Sequence, residues 1–292
     1  MNPTAVILVV LSAVIHALRN FFTKKARDKQ VFIWWYELIG SFIFLPLFAY
    51  YLIKEGFVWN VGIFIGILSG FLHALYWAFH GNALEHGDLS HVYPIMRSAP
   101  VLVLIFAVLF LKEEVSIIGI IGIILVVFGV YIINMKRITL KTLHEPLTTI
   151  FKEKATLFAF FTLVTVSVYS IVDKVGVKFI NPIVFTYYFT FFGFIFFTPY
   201  IFHIRDKFVV SNEWNLNKKS ILLNGFLATF GYGLLLIALA LEKVSYVVGL
   251  RQLSVVVAVL LGGHILKEKH KLIRFMASIF IFMGAFFISI AE

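Results

Sequence analysis

Two arginines set inside long apolar runs are the residues whose chemistry most needs an account. Arg97 lies in Val92–Lys112, VYPIMRSAPVLVLIFAVLFLK, and Arg251 lies in the second such run, Val247–Lys267. Each run reaches the roughly 20 residues that cross a bilayer, and a guanidinium at that depth costs about 3 kcal/mol or more. Such a residue is expected to line a pathway or to be paired. Its planar fork of donors suits carboxylates and phosphates. For Arg97 the internal alternative is an ion pair with Glu37 or Asp173, which is compatible with a pathway if the pair can open.

Other polar side chains recur at helical spacing. His16, Arg19 and Asn20 stand at i, i+3 and i+4 and so share one helix face; for Arg19 the alternative is snorkelling to the interface beside Lys24 and Lys25. His73, Tyr76, Trp77 and His80 form a second stripe, a wall that can stack on a substrate and offer titratable hydrogen-bonding groups. Tyr93 precedes Arg97 by one turn, and Tyr169 precedes Asp173 likewise. Tyr232, between two glycines, is expected to face the central space, and Gln252 follows Arg251. These residues supply the candidate substrate site: His16, Asn20, Tyr76, Trp77, Tyr93, Arg97, Tyr169, Tyr232, Arg251 and Gln252. Glu37, His73, His80 and Asp173 are the candidates for coupling or gating, Asp173 being either a gate or a solvated helix end. Trp34, Trp35 and Tyr36 fit an interfacial aromatic belt. Asn134 and His264 receive no role.

No cysteine is present, and the histidines show none of the spacings that bind zinc or di-iron. No metal, no cofactor and no enzymatic constellation is therefore expected. The net charge of +10 does not point to nucleic acid, because the basic residues fall in short clusters between apolar runs, as membrane-facing loops do.

The elements that must position these residues are membrane helices. Apolar residues make up 61% of the chain, only 14% is charged, and the mean hydropathy is +0.97, far from a soluble domain. The sequence predicts an all-α polytopic membrane protein with ten transmembrane helices at roughly 3–23, 31–53, 60–82, 90–111, 116–135, 155–175, 182–203, 220–241, 245–266 and 272–290. The first apolar stretch lacks a positive region before it and reads as a retained span rather than a cleaved signal. Proline at 94 and 100 is expected to kink the fourth span and bare carbonyls towards a cavity. Two connections are longer than the rest, Lys136–Lys154 and Ile204–Lys219, the latter holding the polar run SNEWNLNKK. Acidic clusters at Lys112–Glu114 and Lys267–Lys269 are expected only to end helices in headgroup water.

The longer connection near 136–154 divides two similar halves, 1–140 and 150–292. A shift of 153 pairs Pro46 with Pro199, Phe32 with Phe185, Trp34 with Tyr187, Gly40 with Gly193 and Phe44 with Phe197. ALE recurs at 83–85 and 240–242, Ser90 matches Ser245, and LKEE (111–114) matches LKEK (266–269). Five helices end on the side opposite to where they began, so the copies must be inverted repeats, which place a substrate site near the midplane at their interface. Seventeen Lys and Arg fall on one side and five on the other, and the positive-inside rule then puts both termini outside the cytoplasmic membrane.

The motifs HALRN (16–20) followed by Lys24, GDLSHVYPIMRSAP (87–100) leading to LKEE, YSIVDK (169–174) and ALEKVSYVVGLRQLSVVVAVLLGGHILKEK (240–269) resemble those of ten-span EamA-type members of the drug/metabolite transporter superfamily. The resemblance covers the whole chain. It implies a secondary transporter of two inverted five-span repeats, with a cavity lined by spans 1–4 and 6–9 and with spans 5 and 10 peripheral. By motif, His16, Asn20, Tyr93, Arg97, Tyr169 and Arg251 are the matching positions. The family's first motif usually reads HAxWN, and Arg19 here stands at the tryptophan position, a departure expected to alter preference for substrate charge. Family members commonly keep both termini in the cytoplasm, against the charge count.

The expected function is secondary-active transport of a small polar organic metabolite, anionic or zwitterionic, by alternating access. Export is the expected direction and proton coupling the expected drive. The expected partners are the small-molecule substrate and the lipid bilayer, with no nucleic acid; oligomeric state is open and a monomer suffices. The alternatives are an intramembrane lipid-handling or lipid-modifying protein and a structural or receptor-like membrane protein.

Overall fold

Most spans begin at a cap that the sequence supplies. Asn2, Asp28, Asn60, Ser116, Asn181 and Asp206 each accept a hydrogen bond from a first-turn backbone N–H, as short polar side chains do at helix starts. They open span 1 (Pro3–Lys25), span 2 (Lys29–Glu55), span 3 (Val61–His86), span 5 (Ile117–Ile132), span 7 (Pro182–Ile204) and span 8 (Lys207–Leu241). Span 6 is Lys154–Gly176 and span 10 is Lys271–Ile290. This computed structural model describes residues 1–56, 59–87, 89–133, 153–258 and 271–292, and all regular structure among them is helical. Asn134, His264, the side chain of Pro94, the LKEK run and most of the 136–154 connection lie outside the described residues.

Among the described residues, spans 1, 2, 3, 6, 7 and 8 are long and apolar enough to cross a bilayer as single helices. The fourth and ninth are interrupted. Span 4 runs as Leu89–Arg97 and then Ala99–Leu111, with Ser98 between them at φ −75° and ψ 2°. Pro100 falls in the first turn of the second piece, where its missing N–H costs nothing. Span 9 runs as Val244–Leu250, turns through Arg251 and Gln252, and resumes at 253–258. Gln252 is the repeat counterpart of Arg97, so both copies break at the same place. Non-helical backbone at membrane depth is tolerated where it faces a cavity, and each break carries one of the two arginines.

The contacts between spans come in exchanged pairs. Span 3 packs on spans 6 and 7 as span 8 packs on spans 1 and 2, while spans 2 and 7 meet each other and so do spans 5 and 10. Exchanging the two repeats reproduces this pattern, as a two-fold relation requires. Equivalent glycines allow it. A Cβ on Gly40 would stand 3.0 Å from the carbonyl oxygen of Gly225 in span 8, and one on Gly70 would stand 2.8 Å from the backbone nitrogen of Gly193 in span 7. Helices without a hydrophobic drive between them associate through such close approach of small residues. Large apolar side chains such as Ile7, Phe42, Phe64, Leu109, Ile117 and Phe286 point outward from the bundle, towards lipid.

The protein differs from the sequence reading at one end of the bundle. Ile204–Lys219, expected as a polar loop, is helical from Lys207 and merges into span 8, with a kink at Asn217 (φ −124°, ψ 16°). Its polar run is amphipathic rather than disordered. Val210 and Glu213 are buried beneath it, and Glu213 accepts a hydrogen bond from the Asp28 backbone at 2.9 Å. Trp35 donates from Nε1 to the Val210 carbonyl at 2.9 Å and stacks near Trp214, ring centroids 4.7 Å apart. This cover also overturns the aromatic belt. Trp34 is 6% exposed, with Nε1 donating to Thr198 Oγ1 at 2.9 Å, and Tyr36 is 2% exposed; protein, not headgroups, surrounds the start of span 2. Arg205 joins the same end, its Nε 2.5 Å from Asp28 and its Nη2 3.4 Å from Glu85.

At the other end Glu113 is more than punctuation. Its carboxylate accepts from the Val244 and Ser245 backbone N–H groups at 2.8 and 3.3 Å and from Ser245 Oγ at 2.8 Å. It thereby caps the first piece of span 9, an anion at the positive end of a helix. Lys174 donates to the carbonyls of Leu239 and Glu242 at 2.6 and 2.7 Å, closing the C-terminal end of span 8.

Candidate functional site

The two helix breaks face one cavity of about 70 Å³, room for several water molecules at the roughly 10–15 Å³ that each needs. Its wall is drawn from spans 1–4 and 6–9, with no contribution from spans 5 or 10 among the described residues. Span 1 contributes His16 and Arg19, span 2 Glu37, and span 3 the whole stripe His73, Tyr76, Trp77 and His80. Arg97 enters from the break in span 4, and Arg251 and Gln252 enter from the break in span 9. Tyr169 and Tyr232 complete the aromatic lining. Glu37 is the one acidic side chain in the wall among the described residues.

Three residues of the sequence reading lie outside the wall. Asn20, one position past Arg19, falls off it. Tyr93 sits behind Arg97, whose guanidinium lies 5.5 Å from its ring centroid. Asp173 is 0% exposed, so it is no solvated helix end. It lies near the end of span 6, yet spans 3 and 8 close over it. Its Oδ1 accepts from Ser69 Oγ and its Oδ2 from Tyr232 Oη, both at 2.5 Å.

Through these bonds Asp173 fixes the Tyr232 ring, and Arg251 stacks over that ring at 5.0 Å. The same shell holds His73. Its Nδ1 is 2.9 Å from the Ser69 carbonyl, so the Nδ1 proton is donated there, and its ring lies 4.0 Å from that of Tyr169 in a stack. Replacing Asp173 with leucine strands two buried hydroxyl donors at about 1–3 kcal/mol each, so Asp173→Leu should lower stability by about 2–6 kcal/mol. Asp173→Asn keeps both contacts, because hydroxyls can rotate to donate or accept, and should cost much less. Thermal unfolding of both variants in detergent checks the ordering; equal losses would contradict it.

The cations are arranged differently from the internal ion pair weighed for Arg97. Among the described residues neither Arg97 nor Arg251 forms an ion pair with Glu37 or Asp173. Arg19 does not snorkel. Its Nη2 lies 3.1 Å from His16 Nδ1 and its guanidinium 5.8 Å from the Tyr36 ring, in the wall of the cavity. Several cavity atoms are buried without a hydrogen-bond partner: Arg19 Nε, Arg251 Nε, Gln252 Oε1, His73 Nε2 and the hydroxyls of Thr190 and Thr229. Buried polar groups are normally satisfied, so this concentration marks a surface made for something else to fill.

Sequence reasoning missed Thr190 and Thr229, together with Phe189, Thr162, Ser170 and Ser254. Their signal is faint. Threonine and serine can satisfy themselves on the preceding turn of a helix, so spacing alone does not separate those facing a cavity from those facing lipid.

Comparison with known proteins agrees with this architecture. An uncharacterized protein of Methanocaldococcus jannaschii is 27% identical over 141 residues, covering 46% of this chain and 98% of the relative, so that relative is about one repeat long. A solved crystal structure superimposes on 98% of this chain and 97% of its own with a TM-score of 0.71 at 14% identity, which is a likeness of fold. The profile of the EamA-like transporter family matches residues 3–135 and again 153–290. The chain thus belongs to the EamA-like transporter family, as a multi-pass membrane protein of two repeats that transports small molecules.

Proposed function

We propose that the protein carries small polar organic anions or zwitterions across the cytoplasmic membrane by alternating access around this cavity. One observation carries the reading: among the described residues, three arginines and a single carboxylate line one cavity between the two broken helices. Arginine's fork suits a carboxylate or phosphate head, and Tyr76 and Trp77 offer ring faces to the apolar part of the substrate. The halves 1–140 and 150–292 are the bodies that rock against each other. Both termini lie outside, a reading that rests on the seventeen-to-five distribution of Lys and Arg, and export is the direction by likeness to the many family members that export. Protons are the coupling ion, with Glu37, His16 and the histidines of span 3 as the groups in reach of the cavity.

The test is ligand-induced thermal shift on the purified full chain against amino acids, organic acids, amines and lipid headgroups. Organic acids or amino acids should raise the unfolding temperature in a saturable way, and amines of the same size should not. A response confined to amines or lipids would contradict the proposal.

A further inference from the structure

We infer that the cavity, read as the transport site proposed above, is built for a doubly charged anion, with one oxyanion group bridging Arg19 and Arg251. The inference deepens that reading and rests on it. Arg19 Nη2 is 3.1 Å and Arg251 Nη2 is 3.5 Å from the same atom, His16 Nδ1. A guanidinium only donates, so the Nδ1 lone pair is the acceptor and the imidazole proton sits on Nε2. Two cations therefore share one neutral lone pair, and each keeps a buried Nε with no partner. They lie within about 7 Å of each other, a gap that a single carboxylate or phosphate spans with charge-assisted bonds of about 2.8 Å on each side. With the His16 ring turned aside, an oxygen would accept from the two donors that His16 Nδ1 now accepts from.

The count of charge points the same way. Arg19, Arg97 and Arg251 face the cavity against Glu37 alone among the described residues, an excess of two positive charges when Glu37 is ionised. A monoanion neutralises one of these and leaves a desolvated guanidinium without a partner; a dianion neutralises both. Arg97 enters from the opposite broken helix, so it is the natural partner for the second charge. Arg97 is then the residue that sets charge preference. A dicarboxylate and a phosphate monoester share this chemistry.

Matched pairs of ligands separate charge from shape: succinate against succinamate, and glycerol 3-phosphate against its methyl ester, titrated onto the full chain in detergent. The dianion of at least one pair should bind at least tenfold tighter than its monoanion, and the pair that shows this identifies the head group. Arg97→Gln should weaken the dianion at least tenfold while moving the monoanion less than threefold; Arg97→Lys, which keeps the charge without the fork, should fall between. Arg19→Gln, which removes one side of the bridge, should weaken both. Monoanions that bind as tightly as dianions, or an Arg97→Gln variant that weakens both equally, would overturn the dianion assignment and leave anion transport standing. If no anion of either charge binds, both fall. Should Arg97→Gln not fold, the wild-type comparison decides alone.

Discussion

Leucine in place of Gly284 should leave little folded protein. Gly284 in span 10 crosses Gly122 in span 5 so closely that a Cβ at 284 would stand 2.5 Å from the Gly122 carbonyl oxygen and 2.7 Å from the Val126 nitrogen. From the other side, a Cβ at 122 would meet the Gly284 carbonyl at 2.8 Å and the Ile288 nitrogen at 2.9 Å. These obstructions are backbone atoms, which cannot rotate aside as a side chain can. One turn-pair further on, Gly129 meets the Ala277 carbonyl in the same way, at 2.7 Å, so the helices cannot tilt to relieve one crossing without opening the other. Overpacking a well-filled interior usually costs about 1–3 kcal/mol, and a clash with backbone on both sides belongs at or above the top of that range. In lipid, the close approach is itself what holds the two helices together. Gly284→Leu should therefore lose the monodisperse peak in size-exclusion chromatography and most of the thermal transition. Ile279→Leu, on the lipid-facing side of the same helix, should behave as wild type. A wild-type melting temperature for Gly284→Leu would contradict the crossing.

The second large effect is on binding. Arg97→Gln with Arg251→Gln removes two cations that are proposed to hold the substrate and that pair with no carboxylate among the described residues. A hydrogen bond to a charged group is worth about 1.5–3 kcal/mol, so each substitution should weaken a dianionic ligand by about tenfold or more. Stability should move the other way. A half-buried guanidinium without a carboxylate partner is a desolvation cost to the fold, and removing two of them should hold or raise the unfolding temperature of the ligand-free protein. A purely structural role for these arginines predicts the reverse, lower stability together with unchanged ligand response.

The fold was largely legible because membrane helices announce themselves by length and apolarity, and because duplication leaves matched residues. Gly40 and Gly193 were visible as a repeat pair, and in the structure each is a close crossing point between the halves. The breaks in spans 4 and 9 were legible only in part. Pro94 and Pro100 marked the fourth span, but the interruptions fall at Ser98 and at Arg251–Gln252, where the arginines leave the helical line. Apolarity misled at the start of span 2. Trp34, Trp35 and Tyr36 have the composition of a belt, and only the helix at Lys207–Leu216 folding over them shows otherwise. That helix was hidden by its own polarity, since SNEWNLNKK reads as a loop until Val210 and Glu213 are seen to be buried. At the site, Arg97 and Arg251 stood out because charge in an apolar run is rare. Arg19, near a helix end, looked like a residue that could reach water, and spacing could not show which way it turned.

Transport itself gives the most direct test. Purified protein reconstituted into liposomes, with a thermal-shift-positive organic anion outside and a radiolabel to follow it, should show saturable uptake that an imposed pH gradient accelerates. Arg97→Gln with Arg251→Gln should abolish that flux while the variant remains folded and inserted. Wild-type flux in the double variant would show that the cavity between the two broken helices is not the site of transport.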